Sequence, residues 1–515
     1  MRSRRMAAVI MALATTVTPA EAKWLKAETQ NFVIYSEGSE KSLRGFAENL
    51  QRFDATLRFR FKLGNDPDPN RLPIYLVERA EDAGRLASGK GNSSIAGFYS
   101  PGSEGSFAVS NRENYGSSTS SDAQQVLFHE YAHHFMHRYV QAAFPAWFVE
   151  GFAEFYSTVD FTKDERAAIG KPVYRRAYGL LEMPKIPADK LLLQRPSEMR
   201  NSGAIDSYYG RAWLLTHMLF NDPARAGQLS DYIAAINAGV EPKAAAETHF
   251  RDLEQLDRDL NRYMNRSLTY RTTNEPIAVP GTISITALSP AEDAVLPWRL
   301  ERLSADGEDE RYIKVRDALI KLSATHGGDA GLWFELAAAH WGMSKETRDA
   351  AAARAAVDKA LSIDPKHVRA NVLLGLIAAA ELDEKGDYSA AAWRKVRGPI
   401  SLANRTAPDD PLPLFAYFRS FTQQGINPPD IAIAGLAQAF ALAPENLDMR
   451  INYAFALANK GDFARAIKLA QTVAFNPHDN GGGEGLLDQL ERMQARAEGR
   501  EEADEDETAS AKTGS

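Results

Sequence analysis

Hydrophobic and polar positions alternate along the chain in two distinct rhythms. The run Asn31-Phe32-Val33-Ile34-Tyr35 reads as a strand, and residues 72–77 read as a second. Between them, Leu43, Phe46, Ala47, Leu50, Phe53 and Leu57 recur at helical spacing over residues 43–61. Residues 96–99 and 106–109 are joined by Ser-Pro-Gly-Ser-Glu-Gly and predict a hairpin. The first part of the chain, from residue 23 to about 115, therefore mixes strands with a long helix.

From about residue 122 to residue 268 the pattern is helical. Asp122, with Gln125 three residues later, predicts a capped helix running to about Val140. Pro145 suits the first turn of the next helix. Residues 271–292 are rich in Thr, Pro and Ser and read as a linker. Residues 293–495 are Ala-rich and helical, with two matching turns, Lys385-Gly386-Asp387-Tyr388 and Lys460-Gly461-Asp462-Phe463. Pro444 and Pro477 stand 33 residues apart, close to the period of about 34 in tetratricopeptide arrays. The other spacings are irregular, so the array is degenerate. Residues 496–515 form an acidic tail that reads as disordered. The expected fold class is an α+β domain over 23–270, with a small mixed sheet and a mainly helical half, followed by an all-α solenoid.

Composition narrows the function classes. The formal net charge of -8 gives no reason to expect a nucleic-acid partner. Arg2, Arg4 and Arg5 precede a short apolar run over residues 6–17, and Ala20-Glu21-Ala22 supplies a small-x-small pattern. Together these read as a signal peptide cleaved after Ala22, which implies a periplasmic or secreted protein without stable membrane insertion. There is no cysteine, so any metal site must be built from His, Asp and Glu.

Four of the ten histidines fall between 129 and 137. His129-Glu130-Tyr131-Ala132-His133 is an H-E-x-x-H motif. Residues four apart on a helix share a face, so His129 and His133 can address one metal ion, with Glu130 beside them as a proton acceptor. A zinc ion needs a third protein ligand and an open position. The next helix offers Glu150 and Glu154, again four apart, within Trp147-Phe148-Val149-Glu150-Gly151-Phe152-Ala153-Glu154. Acidic groups on so apolar a face call for partners. Glu150 is assigned as the third ligand and Glu154 as the acceptor of the outer N–H of His129. His134 and His137 lie off the motif's face and read as ordinary polar positions. His217 reads as a packing residue rather than part of a cleft.

The combination His129-Glu130-x-x-His133 with Trp147-x-x-Glu150-Gly151-x-Ala153-Glu154 resembles the peptidase-MA-like gluzincins, whose metal site is thermolysin-like. The resemblance covers roughly residues 23–270. It implies a zinc metallopeptidase acting on a peptide or protein substrate, with Glu150 as ligand and Glu154 supporting it. It also implies that the hairpin carries the edge strand along which substrate aligns. The Gly-x-Met-Glu-Asn element of gluzincin aminopeptidases is absent. Tyr209-Gly210-Arg211-Ala212-Trp213-Leu214-Leu215 looks like a further helix of that family. Tyr209, expected to open that helix, is the candidate donor to the developing oxyanion, with Tyr208 its competitor.

Two other readings compete. Gly84-Arg85-Leu86-Ala87-Ser88-Gly89-Lys90-Gly91 nearly matches a phosphate-binding loop, but Gly91 lacks the hydroxyl that would hold magnesium; a flexible loop near the cleft is the expectation there. The stronger rival is a non-catalytic protein in which the helical array binds a protein partner and the metal domain is a vestigial scaffold.

Overall fold

The computed structural model describes residues 23–90, 95–102, 104–113, 122–475 and 482–500. The expected signal peptide, Gly91, the side chain of Asp122 with its capping role, and the acidic tail from residue 501 lie outside the described residues.

The chain is α+β. Strands β1 (Trp24–Glu28) and β2 (Phe32–Glu37) lead into α1 (Glu40–Phe61), β3 (Leu72–Val77), α2 (Ala80–Ser88), β4 (Phe98–Ser100) and β5 (Phe107–Asn111). Next come α3 (Asp122–Tyr139), α4 (Ala146–Ser157), β6 (Asp160–Phe161), β7 (Ala167–Ile169), α5 (Ala177–Leu181), α6 (Ala188–Leu193) and α7 (Ser202–Asn221). Then follow α8 (Gln228–Asn237), α9 (Pro242–His249), α10 (Leu253–Met264), β8 (Arg271–Thr272), β9 (Ser284–Ala287) and α11 (Pro290–Leu303). Helices continue from α12 (Asp309–His326) to α21 (Gly482–Ala497).

The main sheet has the order β4-β5-β3-β2-β1-β9. Its centre is parallel, β2 with β3 and β3 with β5, and its flanks are antiparallel. Alternation along β3 shows why both faces are covered. Leu72, Ile74 and Leu76 point into a core with Leu43, Phe46, Leu50 and Phe53 of α1 and Phe128 of α3. Tyr75 and Val77 point the other way, into a core with Phe107, Val109 and Trp24.

That second core corrects the expected linker. Residues 271–292 hold β8 and β9, and β9 pairs with β1 along the sheet. Leu288 and then Leu296 and Leu300 of α11 fill the second face of the sheet. The Trp24 backbone N–H donates to Asp293 at 2.7 Å. The Thr- and Pro-rich composition hid a strand whose side chains are mostly exposed. A fragment ending at residue 292 would uncover this face, since burial of each large apolar side chain is worth about 1.5–3 kcal/mol. Such a fragment is expected to aggregate, and a soluble, cooperatively melting product would contradict this packing.

Two further expectations are corrected. The helical stretch from 122 to 268 is interrupted by β6 and β7, which with β8 make a three-stranded sheet. The glycine-bearing segment at 84–88 is not a loop, because α2 runs through Ser88 and ends on Gly89 at φ 67°. Its helical geometry removes the phosphate-loop reading.

The C-terminal half is a succession of helices, each packed on its sequence neighbours. The matching turns place Gly386 and Gly461 at φ 64° and 82°, where a side chain would be strained. Among the described residues, no helix is long and apolar enough to cross a membrane. The array holds the first half at several places, among them the hairpin tip and α3. Arg302 pairs with Glu104 at the hairpin tip (2.6 Å), where Asn446 also donates to the Gly102 carbonyl (3.1 Å). Behind α3, Arg138 pairs with Glu445 (2.9 Å).

Candidate metal centre

Helix α3 is fixed from beneath. Phe128 stacks on Phe53 of α1, with ring centroids 3.9 Å apart. The Tyr131 hydroxyl donates to Asp54 at 2.5 Å, which also accepts from Arg58 and Asn31. These contacts use the face opposite His129 and His133 and so fix the motif's rotation about the helix axis.

Helix α4 brings its carboxylates to the same place. It is buried along its whole length. Gly151 allows this: a side chain there would strike the Thr216 hydroxyl and the Ala212 carbonyl of α7. The close approach of α4 to α7 also carries Tyr209 toward the histidines.

The result is a compact donor triangle. His129 Nε2 and His133 Nε2 lie 3.1 Å apart, and Glu150 Oε2 lies 3.5 Å from each. Zinc–ligand bonds of about 2.0–2.2 Å at tetrahedral angles separate neighbouring donors by roughly 3.3–3.5 Å. Spacing and chemistry therefore fit such an ion, and all three side chains are buried. Burial pushes His129 down to about 4, against the pull of Glu154 and Glu150, so its imidazole is neutral and able to ligate. Burial acts most strongly and lowers His133, but the carboxylates of Glu150, Glu130 and Glu154 together offset it and hold the group above its ordinary value.

Glu130 lies in the electrostatic field of His133 and Glu150, and burial pushes its carboxyl up to about 7. Its Oε2 accepts from the backbone N–H of Tyr99 at 3.1 Å. The edge strand β4 thus orients this carboxylate with a main-chain group, which no sequence pattern reveals.

Glu154 Oε1 lies 3.4 Å from His129 Nδ1, in the place expected of it. Its other partners were not anticipated. Arg175 Nη2 donates to Oε2 at 2.8 Å and Arg176 Nε donates to Oε1 at 2.9 Å. Burial raises the Glu154 carboxyl, but these two guanidinium groups hold it below its usual range. Arg175 Nη2 also lies 3.3 Å from His129 Nδ1. With Glu154 ionised beside it, Nδ1 is the natural site of the imidazole proton, leaving Nε2 to face the triangle. The adjacent arginines of Tyr174-Arg175-Arg176 were the available signal for these partners, but pairing them with Glu154 required the fold.

The tyrosines separate. The Tyr208 hydroxyl donates to the Gln194 carbonyl at 2.8 Å, and its ring is fully buried. The Tyr209 ring lies beside His129, with centroids 6.2 Å apart, and the Arg176 guanidinium sits 4.6 Å over it. Tyr209 does not open its helix as expected; α7 begins at Ser202, capped by Asn201. Burial, with Glu150 next, keeps the Tyr209 phenol well above its ordinary value and so protonated.

His217 is a core residue, bonded to the Tyr263 hydroxyl (2.8 Å) and near the Gly170 carbonyl (3.1 Å). His134, expected as an ordinary polar position, is buried. Its Nδ1 meets the hydroxyl of Tyr99 at 3.1 Å. Compared with known proteins, the chain matches no family model and no curated sequence.

Proposed function

We propose that the chain is a zinc-dependent peptidase of the gluzincin type, exported to the periplasm or secreted, with a tetratricopeptide-like array behind its catalytic half. The observation that carries this reading is the buried triangle of His129, His133 and Glu150 with a fourth carboxylate, Glu130, beside it. Two imidazoles and a carboxylate also suit ferrous iron. The adjacent Glu130 favours the hydrolytic ion, because hydrolysis needs a base at that position.

In this reading His129, His133 and Glu150 hold the zinc, which supplies Lewis acidity for attack of water on an amide. Glu130 takes the proton from the attacking water and returns it to the leaving amine. The Tyr99 N–H keeps that carboxylate turned toward the site. Glu154, itself held by Arg175 and Arg176, fixes the His129 tautomer. Tyr209, on α7 with its ring beside that of His129, is a neutral donor and is assigned to the developing oxyanion.

Tyr209→Phe keeps the ring and its contact with Arg176 but removes the hydroxyl. A fall in kcat of about 10²–10³ is expected, the usual cost of one oxyanion donor, with metal content and melting unchanged. Full activity in this variant would remove Tyr209 from the mechanism. Digestion of a peptide library, read by mass spectrometry, tests the function as a whole. Cleavage at a defined set of bonds is expected, and a library left intact in the presence of added zinc would overturn the reading.

A further inference from the structure

The carboxylate assigned as the base is held by a main-chain group of an edge strand. Glu130 Oε2 accepts from the Tyr99 N–H at 3.1 Å. Glu130 stands on α3 and Tyr99 on β4, so this contact lasts only while helix and strand keep their spacing. Strand β4 is three residues long and lies at the edge of the sheet beside β5. So short an edge strand has few ladder bonds to hold it and opens easily unless something else ties it down.

The tie comes from the helical array. The Tyr99 hydroxyl meets His134 Nδ1 of α3 at 3.1 Å and donates to Ser106 Oγ, across the hairpin, at 3.0 Å. Ser106 in turn donates to Glu445 Oε1 at 3.4 Å. Glu445 lies in the turn between α18 (Asp430–Leu442) and α19 (Leu447–Ala458). Its other oxygen, Oε2, accepts from Arg138 of α3 at 2.9 Å. One carboxylate of the array therefore bonds to the hairpin with one oxygen and to α3 with the other.

Neighbouring contacts reinforce this bridge. Asn446 donates to the Gly102 carbonyl in the hairpin, and Arg138 donates to the Leu442 carbonyl, each at 3.1 Å. Glu130, His134 and Arg138 follow one another at four-residue spacing, so they lie along one ridge of α3. Their partners are the Tyr99 N–H, the Tyr99 hydroxyl and Glu445 in turn. His134, Arg138, Glu445 and Asn446 are buried, and hydrogen bonds made away from water are costly to break.

We propose that Glu445 is a positioning residue for the hydrolytic reaction. By bridging Ser106 and Arg138 it holds β4 against α3 and so keeps the Tyr99 N–H on the Glu130 carboxylate. Its effect on rate rests on the peptidase reading, whereas its effect on the strand rests on the geometry alone. The array is then a working part of the site.

Two measurements on the full chain test this. Hydrogen exchange, read by mass spectrometry, follows the backbone amides of residues 98–100 and needs no activity. Glu445→Ala is expected to speed their exchange about tenfold or more. Glu445→Gln keeps the length of the side chain and an accepting oxygen, and is expected to retain most of the protection. Hydrolysis of a peptide is measured on the same variants. Glu445→Ala should lower kcat about tenfold or more, with KM and zinc content within about twofold of wild type, and Glu445→Gln should recover most of that loss. Ser106→Ala cuts only the hairpin arm and should lower kcat roughly three- to tenfold. Added to Glu445→Ala it should cost nothing further, because both act through one chain of bonds. Unchanged exchange at residues 98–100 in both Glu445→Ala and Ser106→Ala would overturn the proposal whatever the activity. So would faster exchange with kcat intact, a rise in KM alone, or equal losses in the Ala and Gln variants. A wild-type chain that cleaves no peptide would overturn the peptidase reading and the effect on rate with it, and the exchange result would still decide the clamp on β4.

Discussion

Replacing Glu130 by Gln is expected to abolish peptide hydrolysis while leaving zinc in place. The amide keeps the shape of the side chain, and its oxygen can still accept from the Tyr99 N–H that now holds Glu130 Oε2 at 3.1 Å. None of the three donors of the triangle is touched. What disappears is the carboxylate proposed to take a proton from water. Loss of a positioned general base costs about 10²–10⁴ in rate. Metal content and kcat measured on the same preparation check this. A variant that works near the wild-type rate, or one whose activity falls only in step with its metal content, would show that Glu130 is not the base.

Glu150→Ala should act on the metal itself. The carboxylate is fully buried and faces both histidines at 3.5 Å, so its removal takes away one of three protein donors. The loss of zinc affinity should exceed the roughly 10–100-fold typical of a group that only orients a ligand. Glu154→Ala is expected to fall within that range. It should also lower the melting temperature, because Arg175 and Arg176 would lose the carboxylate they share and a cation left without its buried partner is destabilising. Competition titrations with a zinc chelator on both variants separate the roles. If Glu154→Ala empties the site and Glu150→Ala does not, the two assignments are exchanged.

Much of the candidate site was legible because it is written in short-range spacing. His129 and His133, and again Glu150 and Glu154, are four residues apart on helices whose remaining positions are apolar. Periodicity alone then places each pair on one face, and the scarcity of partners for a buried acid points the two pairs at one another. The choice between Tyr208 and Tyr209 was not legible. They differ by about 100° around α7, and only the packing of that helix decides which one looks at His129. Arg175 and Arg176 sit in a single 3-10 turn, Tyr174–Arg176, just before α5, too short for spacing to carry information about partners. The Tyr99 contact is a main-chain one and leaves no trace in residue type.

The same distinction holds for the fold. The sheet's central strands were readable because β3 is buried on both faces and therefore continuously apolar. Strand β9 is an exposed edge strand in a Thr- and Pro-rich stretch, and it resembles a linker until its pairing with β1 is seen. Helix α11 has the polar and apolar mix of the helices that follow it. Only the core formed by Trp24, Phe107, Leu296 and Leu300 shows that it completes the first half of the chain.

The proposed role of the His129, His133 and Glu150 triangle is to hold a zinc ion on which peptide hydrolysis depends. The most direct measurement is the zinc content of the purified full chain, taken together with its hydrolysis of a peptide substrate before and after chelation. One zinc per chain is expected, with activity that disappears when the ion is removed and returns when zinc is restored. A chain that takes up no zinc after equilibration, or one that hydrolyses peptides equally well once its metal has been stripped, would contradict the account.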